Sequence, residues 1–249
     1  AKSLHGPWLI PKDDVFDGRA NYAIKTASDG KRRFAFGWIA SRAGETDFGP
    51  WEWGGDMHVH EVVQDENGDL RCKELDTMVH RFSSVELSTP SSPFGDAART
   101  EDGWRLHAEG FGALQSPVPD TFRLEMTVKP ESDCEFGLAV NTDEQLEKGY
   151  FLRLKDGWMA LDLWPRIPSP GMYQWQINGD HPFQIETMRF VPTADTYRIL
   201  VLREGNLLAV YVNDRTALST RAYNHRSGYA GVYVIGGRIR VCEWNLQTR

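Results

Sequence analysis

From Trp104 to Leu246 the chain consists of short apolar runs, each cut off by Gly, Asn, Asp or Pro. Strands that recur at a spacing of roughly 8–12 residues argue for two antiparallel sheets packed against each other. The runs are Trp104–Ala108, Thr121–Lys129, Glu135–Asn141, Gly149–Leu154, Gly157–Trp164, Phe183–Phe190, Thr196–Arg203, Leu207–Asn213, Ala217–Tyr223, Gly228–Ile235 and Arg238–Leu246. Turns fall at Lys155-Asp156-Gly157, Glu204-Gly205-Asn206 and Gly236-Gly237. Alternation names an inward set in two runs: Phe122, Leu124, Met126 and Val128, then Val210 and Val212. Pro165–Asp180 reads as a long loop, and no amphipathic helix is visible.

The first third carries four more strand patterns. Asn21–Thr26 and Arg33–Ile39 flank Ser28-Asp29-Gly30-Lys31, whose Asp-Gly pair is hairpin chemistry. Met57–Gln64 and Asp69–Leu75 flank a turn at Asp65-Glu66-Asn67-Gly68. Between the pairs lies a Trp- and Gly-rich loop. Trp38, Trp51 and Trp53, with Gly37, Gly54 and Gly55, suit a stacking surface for a sugar ring, since flat apolar rings lie well against sugar C–H bonds. Each tryptophan taken alone reads equally well as core.

The segment Phe16–Glu61 resembles glycoside hydrolase family 32, the β-fructosidases. That family runs D-x-G-x-D-F-Y-A, then R-R-x-x-x-G-W, then a W-x-G loop and a strand ending P-R-E. Gly18, Tyr22 and Ala23 match the first motif, Arg32, Arg33, Gly37 and Trp38 the second, and Trp53-Gly54-Gly55 the loop. Ala20 stands where the family has its second Asp, and Val59-His60-Glu61 replaces P-R-E. The likeness resumes at Leu207–Asp214 and Leu218–Tyr223, similar to the family's S-S-V-E-V-F-V-N-D and T-x-R-x-Y strands, with Ala209 in place of the usual Glu.

The resemblance implies an all-β fold. A partial β-propeller of about one blade (1–83) would be followed by a two-sheet antiparallel, concanavalin-like β-sandwich (84–249), with Ser88–Pro93 breaking regular structure at the junction. It also implies that Trp38 lines a pocket beside a bound sugar, with Tyr22, Asp17 and Trp53 as further substrate-binding candidates. Asp14, Asp56 and Glu61 also flank the cluster, whereas Arg32 and Arg33 read as structural. The family's catalytic carboxylates come from segments upstream of its D-x-G-x-D-F-Y-A motif, and this chain contains no N-D-P, R-D-P or Glu-Cys. Hydrolysis needs two carboxylates across the scissile bond. The expectation is therefore a C-terminal portion of a glycoside hydrolase, partnered by an upstream propeller segment and acting on an oligo- or polysaccharide. A single blade has two open faces, which is an independent reason to expect such a partner. A stand-alone carbohydrate-binding sandwich is the alternative, and a purely structural or assembly role is the third reading.

Composition narrows the rest. A 41% hydrophobic share with nine Trp is ample for a core. A net charge of −7 with no basic stripe argues against nucleic acid or an anionic membrane. There is no long apolar span and no signal pattern; Cys72, Cys134 and Cys242 allow one disulfide at most. Localisation and oligomeric state stay open. No phosphate loop, nucleophile elbow or Cys-x-x-Cys occurs, so no cofactor is expected. His58-Val59-His60 puts two imidazoles on one strand face, as in some zinc sites, but Glu61 points to the other face and no further His is near in sequence. No metal is expected on that basis. Asp65–Asp69 lacks the frame of a calcium loop and reads as a hairpin turn.

Overall fold

The computed structural model describes residues 1, 3–85, 88–165 and 184–249, apart from the side chains of residues 184, 187 and 188. The loop expected at 165–180 falls almost wholly outside the described residues. Four strands, β1 (Asn21–Ser28), β2 (Arg33–Arg42), β3 (Trp51–Gln64) and β4 (Leu70–Lys73), form an antiparallel sheet in that order. Its last hairpin closes with Gly68 N–H donating to Asp65 O (2.9 Å), and Gly68 has φ +92°, a conformation glycine adopts without strain. A helical turn follows at Asp76–Val79. Among the described residues no helix is long and apolar enough to cross a membrane.

The remaining strands build the sandwich. In chain order they are β5 (Ser83–Ser84), β6 (Ser91–Phe94), β7 (Asp96–Thr100), β8 (Gly103–Val118), β9 (Thr121–Pro130), β10 (Glu135–Thr142) and β11 (Gly149–Lys155). Then come β12 (Trp158–Trp164), β13 (Gln184–Phe190), β14 (Tyr197–Glu204), β15 (Leu207–Val212), β16 (Thr216–Arg221) and β17 (Gly228–Thr248). The hydrogen-bonded path is β13-β12-β11-β10-β17-β9-β14-β15-β16, with β8 also on β17. Strand β17 joins the two layers. Its first part pairs with β10 (Phe136↔Val234) and its second with β9 (Val241↔Val128), while β8 follows it along both. The sheet thereby folds over on itself. Phe122, Leu124, Met126 and Val128 meet Leu138, Leu152, Leu161 and Val232 in one core, with Val210 and Val212, so the inward set read from alternation holds.

Two local expectations are corrected. Gly236-Gly237 is not a turn: β17 runs through it with a shift of register between Ile235 and Gly237, and Gly236 takes φ +66°. Glycine here bends a strand instead of ending it. Ser91-Ser92-Pro93 is not a break either, because Ser91–Phe94 pairs with β8, its one strand partner among the described residues. Proline is tolerated on an edge strand, where no second partner needs its missing N–H.

The four-stranded sheet lies against the β14-β15-β16 side of the sandwich. Ala35, Val62 and Cys72 pack on Leu200, Ala209, Tyr211 and Ala217. Strand β15 is therefore buried on both faces, with Val210 and Val212 toward one core and Ala209 and Tyr211 toward the other. Arg221 of β16 pins the contact, donating to Ile39 O (2.8 Å), Ala40 O (3.0 Å), Asp56 (2.6 Å) and Asn206 (2.6 Å). Buried Asp47 adds to it, accepting from the Tyr150 hydroxyl (2.6 Å) and from Tyr223 N–H (2.6 Å).

Candidate functional site

On the outward face of the β12-β11-β10-β17 layer the side chains leave a cavity of about 400 Å³. Its wall follows from register. Gly137 lies between Arg153 and Tyr233, and Ala139 beside Phe151, so two small residues let large neighbours lie over them. The Tyr233 ring covers Gly137, where an added Cβ would come within 2.9 Å of it. Phe111 stacks on Tyr233 (5.7 Å, 22°), and Phe151 meets Tyr233 edge-on at 5.7 Å. Polar groups share this apolar wall: Glu135, Arg153 and Asp162 line the cavity with Trp164. Arg153 Nε lies 3.4 Å from Asp162 Oδ2 across neighbouring strands. Flat ring faces beside a guanidinium and carboxylates suit a ligand with an apolar face and hydroxyls at its edge.

None of these residues was singled out from sequence, because they are scattered over strands far apart in the chain. A usable signal was present. In Phe151–Leu154 and Leu161–Trp164 the core positions are leucines, and the alternate positions carry Arg153, Asp162 and Trp164. Charged and aromatic residues at the outward positions of otherwise apolar strands are what a surface site leaves in a sequence.

The predicted site residues divide between the two faces of the four-stranded sheet. Tyr22 pairs in register with Trp38, and the Tyr22 ring contacts Trp38 (5.2 Å) and Trp53 (5.7 Å) edge-on. These three do gather, on the open face, with Trp53 82% exposed and Met57 beside the same strand pair 73% exposed. Asp17 does not join them. It is buried on the sandwich side, together with Asn21 and His60. Asp14 is exposed, Asp56 is engaged by Arg221, and Glu61 lies 3.4 Å from Lys73.

Around Asp17 lies a polar cluster, buried except at His58. Its Oδ1 accepts from Gly18 N–H (2.7 Å) and Ser219 N–H (2.6 Å), and Oδ2 from Asn21 Nδ2 (2.9 Å) and His60 Nε2 (2.8 Å). His60 Nδ1 lies 2.9 Å from the Tyr211 hydroxyl, and His58 Nε2 is 3.1 Å from Ser219 Oγ. Burial alone would raise the Asp17 carboxyl. The charge of His60 and its hydrogen bond, with His58 and Asn21, outweigh this and hold it well below the usual carboxylate range. Burial pushes His58 down to about 4, with His60 adding to the effect. Nearby, burial pushes Glu186 up to about 7 against the pull of Arg19 and Arg42, and its Oε1 accepts from Thr220 (2.9 Å).

With the geometry in hand, the class the fold defines is an all-β pairing of a blade-like sheet with a concanavalin-like sandwich, the fold of the glycoside hydrolase family 32 structures over this stretch. No protein-family model and no curated protein matches the sequence. Among solved structures, an exo-inulinase from Aspergillus awamori aligns with 94% of this chain at TM-score 0.65 and 12% identity, over 44% of its own length. Fructan 1-exohydrolase IIa from Cichorium intybus aligns with 92% at TM-score 0.58 and 12% identity, over 48% of its length. The carbohydrate-binding module CBM66 from Bacillus subtilis aligns with 66% of this chain at TM-score 0.53 and 13% identity, over 98% of its own length. The chain thus spans less than half of either enzyme and matches nearly the whole module. At such identities the likeness is one of fold.

Proposed function

We propose that this chain binds carbohydrate through the sandwich cavity, in a role related to glycoside hydrolysis. The observation that carries this reading is the cavity itself, where Phe111, Phe151, Tyr233 and Trp164 share one wall with Glu135, Arg153 and Asp162. A sugar ring presents C–H bonds on its faces and hydroxyls around its edge. The aromatic set takes the first, and Glu135 with the Arg153–Asp162 pair takes the second. The fold neighbours that act on fructans or bind carbohydrate support the choice of fructan oligosaccharides as first probes.

The test is calorimetric titration of the chain with inulin- and levan-type oligosaccharides, alongside unrelated glycans. Trp164→Ala and Glu135→Gln, both in the cavity lining, each weaken binding roughly tenfold or more, the scale of one stacking or one charge-assisted contact. Flat titrations across the panel, or binding indifferent to both substitutions, overturn the reading.

The second reading is that the chain is the C-terminal portion of a glycoside hydrolase, divided near residue 84, whose catalytic carboxylates lie on an upstream propeller segment. It is favoured by the open aromatic face of the four-stranded sheet, where Tyr22, Trp38 and Trp53 form a surface of the kind one propeller blade presents to the next. In that assembly Trp38 would also border the sugar pocket.

A further inference from the structure

We infer that Asp17, His58 and His60 form a binding site for a single divalent transition-metal ion of the zinc type at the junction of the blade-like sheet and the sandwich. The side-chain donor atoms of the three all lie within 4.8 Å of one another. His58 and His60 stand on one face of β3, two residues apart, and the loop before β1 brings Asp17 up to them from 41 positions earlier in the chain. The missing third ligand of the His-x-His pattern is therefore supplied from outside its own strand. Two imidazoles and one carboxylate are the donor set that zinc and its neighbours prefer over calcium or magnesium.

The surroundings are built as the outer shell of such a site. Both backbone donors on Asp17 go to Oδ1, from Gly18 and Ser219, which fixes the carboxylate with Oδ2 toward the imidazoles. The far nitrogen of His60 faces the Tyr211 hydroxyl at 2.9 Å, the second contact that orients a metal-bound histidine. With an ion at Nε2, His60 takes its other tautomer, and Nδ1–H donates to the Tyr211 oxygen.

Asn21 is buried, 8% exposed, and its Nδ2 reaches both Asp17 Oδ2 (2.9 Å) and His60 Nε2 (3.2 Å), which holds the carboxylate and the imidazole in place beside each other. Three protein ligands leave the fourth position of such a centre to water. Ser219 Oγ, 3.1 Å from His58 Nε2, stands next to the same point. His58 is only partly buried and provides the way in.

The experiment uses the full chain, stripped with a chelator and titrated with zinc chloride, then with cobalt(II) chloride. The expected result is one ion per chain, a thermal midpoint raised by zinc and lowered again by chelator, and the intense visible bands of a four-coordinate N/O cobalt centre. His58→Ala weakens zinc binding by at least about tenfold, whereas His80→Ala, at an exposed turn, leaves it unchanged. The cobalt spectrum needs no variant, so it decides the matter even if His58→Ala fails to fold. Substoichiometric uptake, a hydrated six-coordinate cobalt spectrum, or zinc binding unaffected by His58→Ala overturns the assignment.

Discussion

Glu186 is one residue through which pH acts on this fold. Its carboxyl is pushed up from 4.5 to about 7 because burial outweighs the attraction of Arg19 and Arg42. A carboxyl with a raised pKa keeps its proton in the folded chain at pH values where the unfolded chain has released it. The contribution of Glu186 to stability is thus greatest below about pH 4.5, falls as pH climbs to about 7, and is level beyond. Glu186→Gln keeps the shape and removes the charge, so relative to the parent it gains on the order of 3 kcal/mol between these limits. Urea midpoints at about pH 4.5 and about pH 8 measure this. Equal differences between variant and parent at both pH values would mean that Glu186 ionises in the fold without penalty.

The same scale shows what was legible in the sequence. His58 and His60 were visible as a pair because a strand's period of two puts i and i+2 together. Asp17 was assigned to the tryptophans because it is near them in sequence, yet Asn21 and Ile39 face inward where Tyr22 and Trp38 face outward, and Asp17 follows the inward pair. Which face a loop residue joins is decided by tertiary contacts, here Ser219 from 202 positions away. Periodicity cannot carry that information.

Among the elements, β16 bears the junction between the two sheets. Arg221 donates to two backbone carbonyls of β2, and removing the guanidinium takes both buried bonds away. Arg221→Met is expected to destabilise the chain by about 3 kcal/mol, the range for stranding buried polar groups. Arg221→Lys restores little of it, since one ammonium cannot fork between Ile39, Ala40 and Asp56 as the planar guanidinium does. Chemical unfolding followed by tryptophan fluorescence reads the change, and Trp38, Trp51 and Trp53 report from the smaller sheet. An unchanged midpoint in Arg221→Met would remove Arg221 from the junction. Strands were read correctly wherever alternation was clean, as in β9 and β15. They were misread where glycine and proline do something other than stop a strand, as in β6 and at Gly236.

For the molecule as a whole, the open face of the four-stranded sheet is the feature that most needs a partner. Tyr22, Trp53 and Met57 are exposed together, and contiguous apolar surface of this kind drives association. The chain alone is expected to sediment with an average mass that rises with concentration, and Trp53→Ser with Met57→Ser to bring it back to monomer. Co-expression with a propeller segment should suppress that self-association in the parent and fail to do so in the double variant. A parent chain that stays monomeric throughout, and does not pair with such a segment, would count against the hydrolase-portion reading. The overall class was legible because strand spacing and turn residues are local properties. The cavity was not, because it exists only after β10, β11, β12 and β17 are laid side by side.

Strand β17 sets the order in which this protein can be made. It follows all its partners in the sequence, yet it lies between them in both layers, with β8, β9 and β10 all bonded to it. During synthesis those three strands leave the ribosome more than 80 residues before the strand that joins them, and until then each has an unpaired edge. Contacts this distant in sequence make for slow closure and long exposure of sticky edges. The open edges of β8, β9 and β10 are thus most vulnerable in the nascent chain, and a cell making this protein has reason to keep them shielded until β17 arrives.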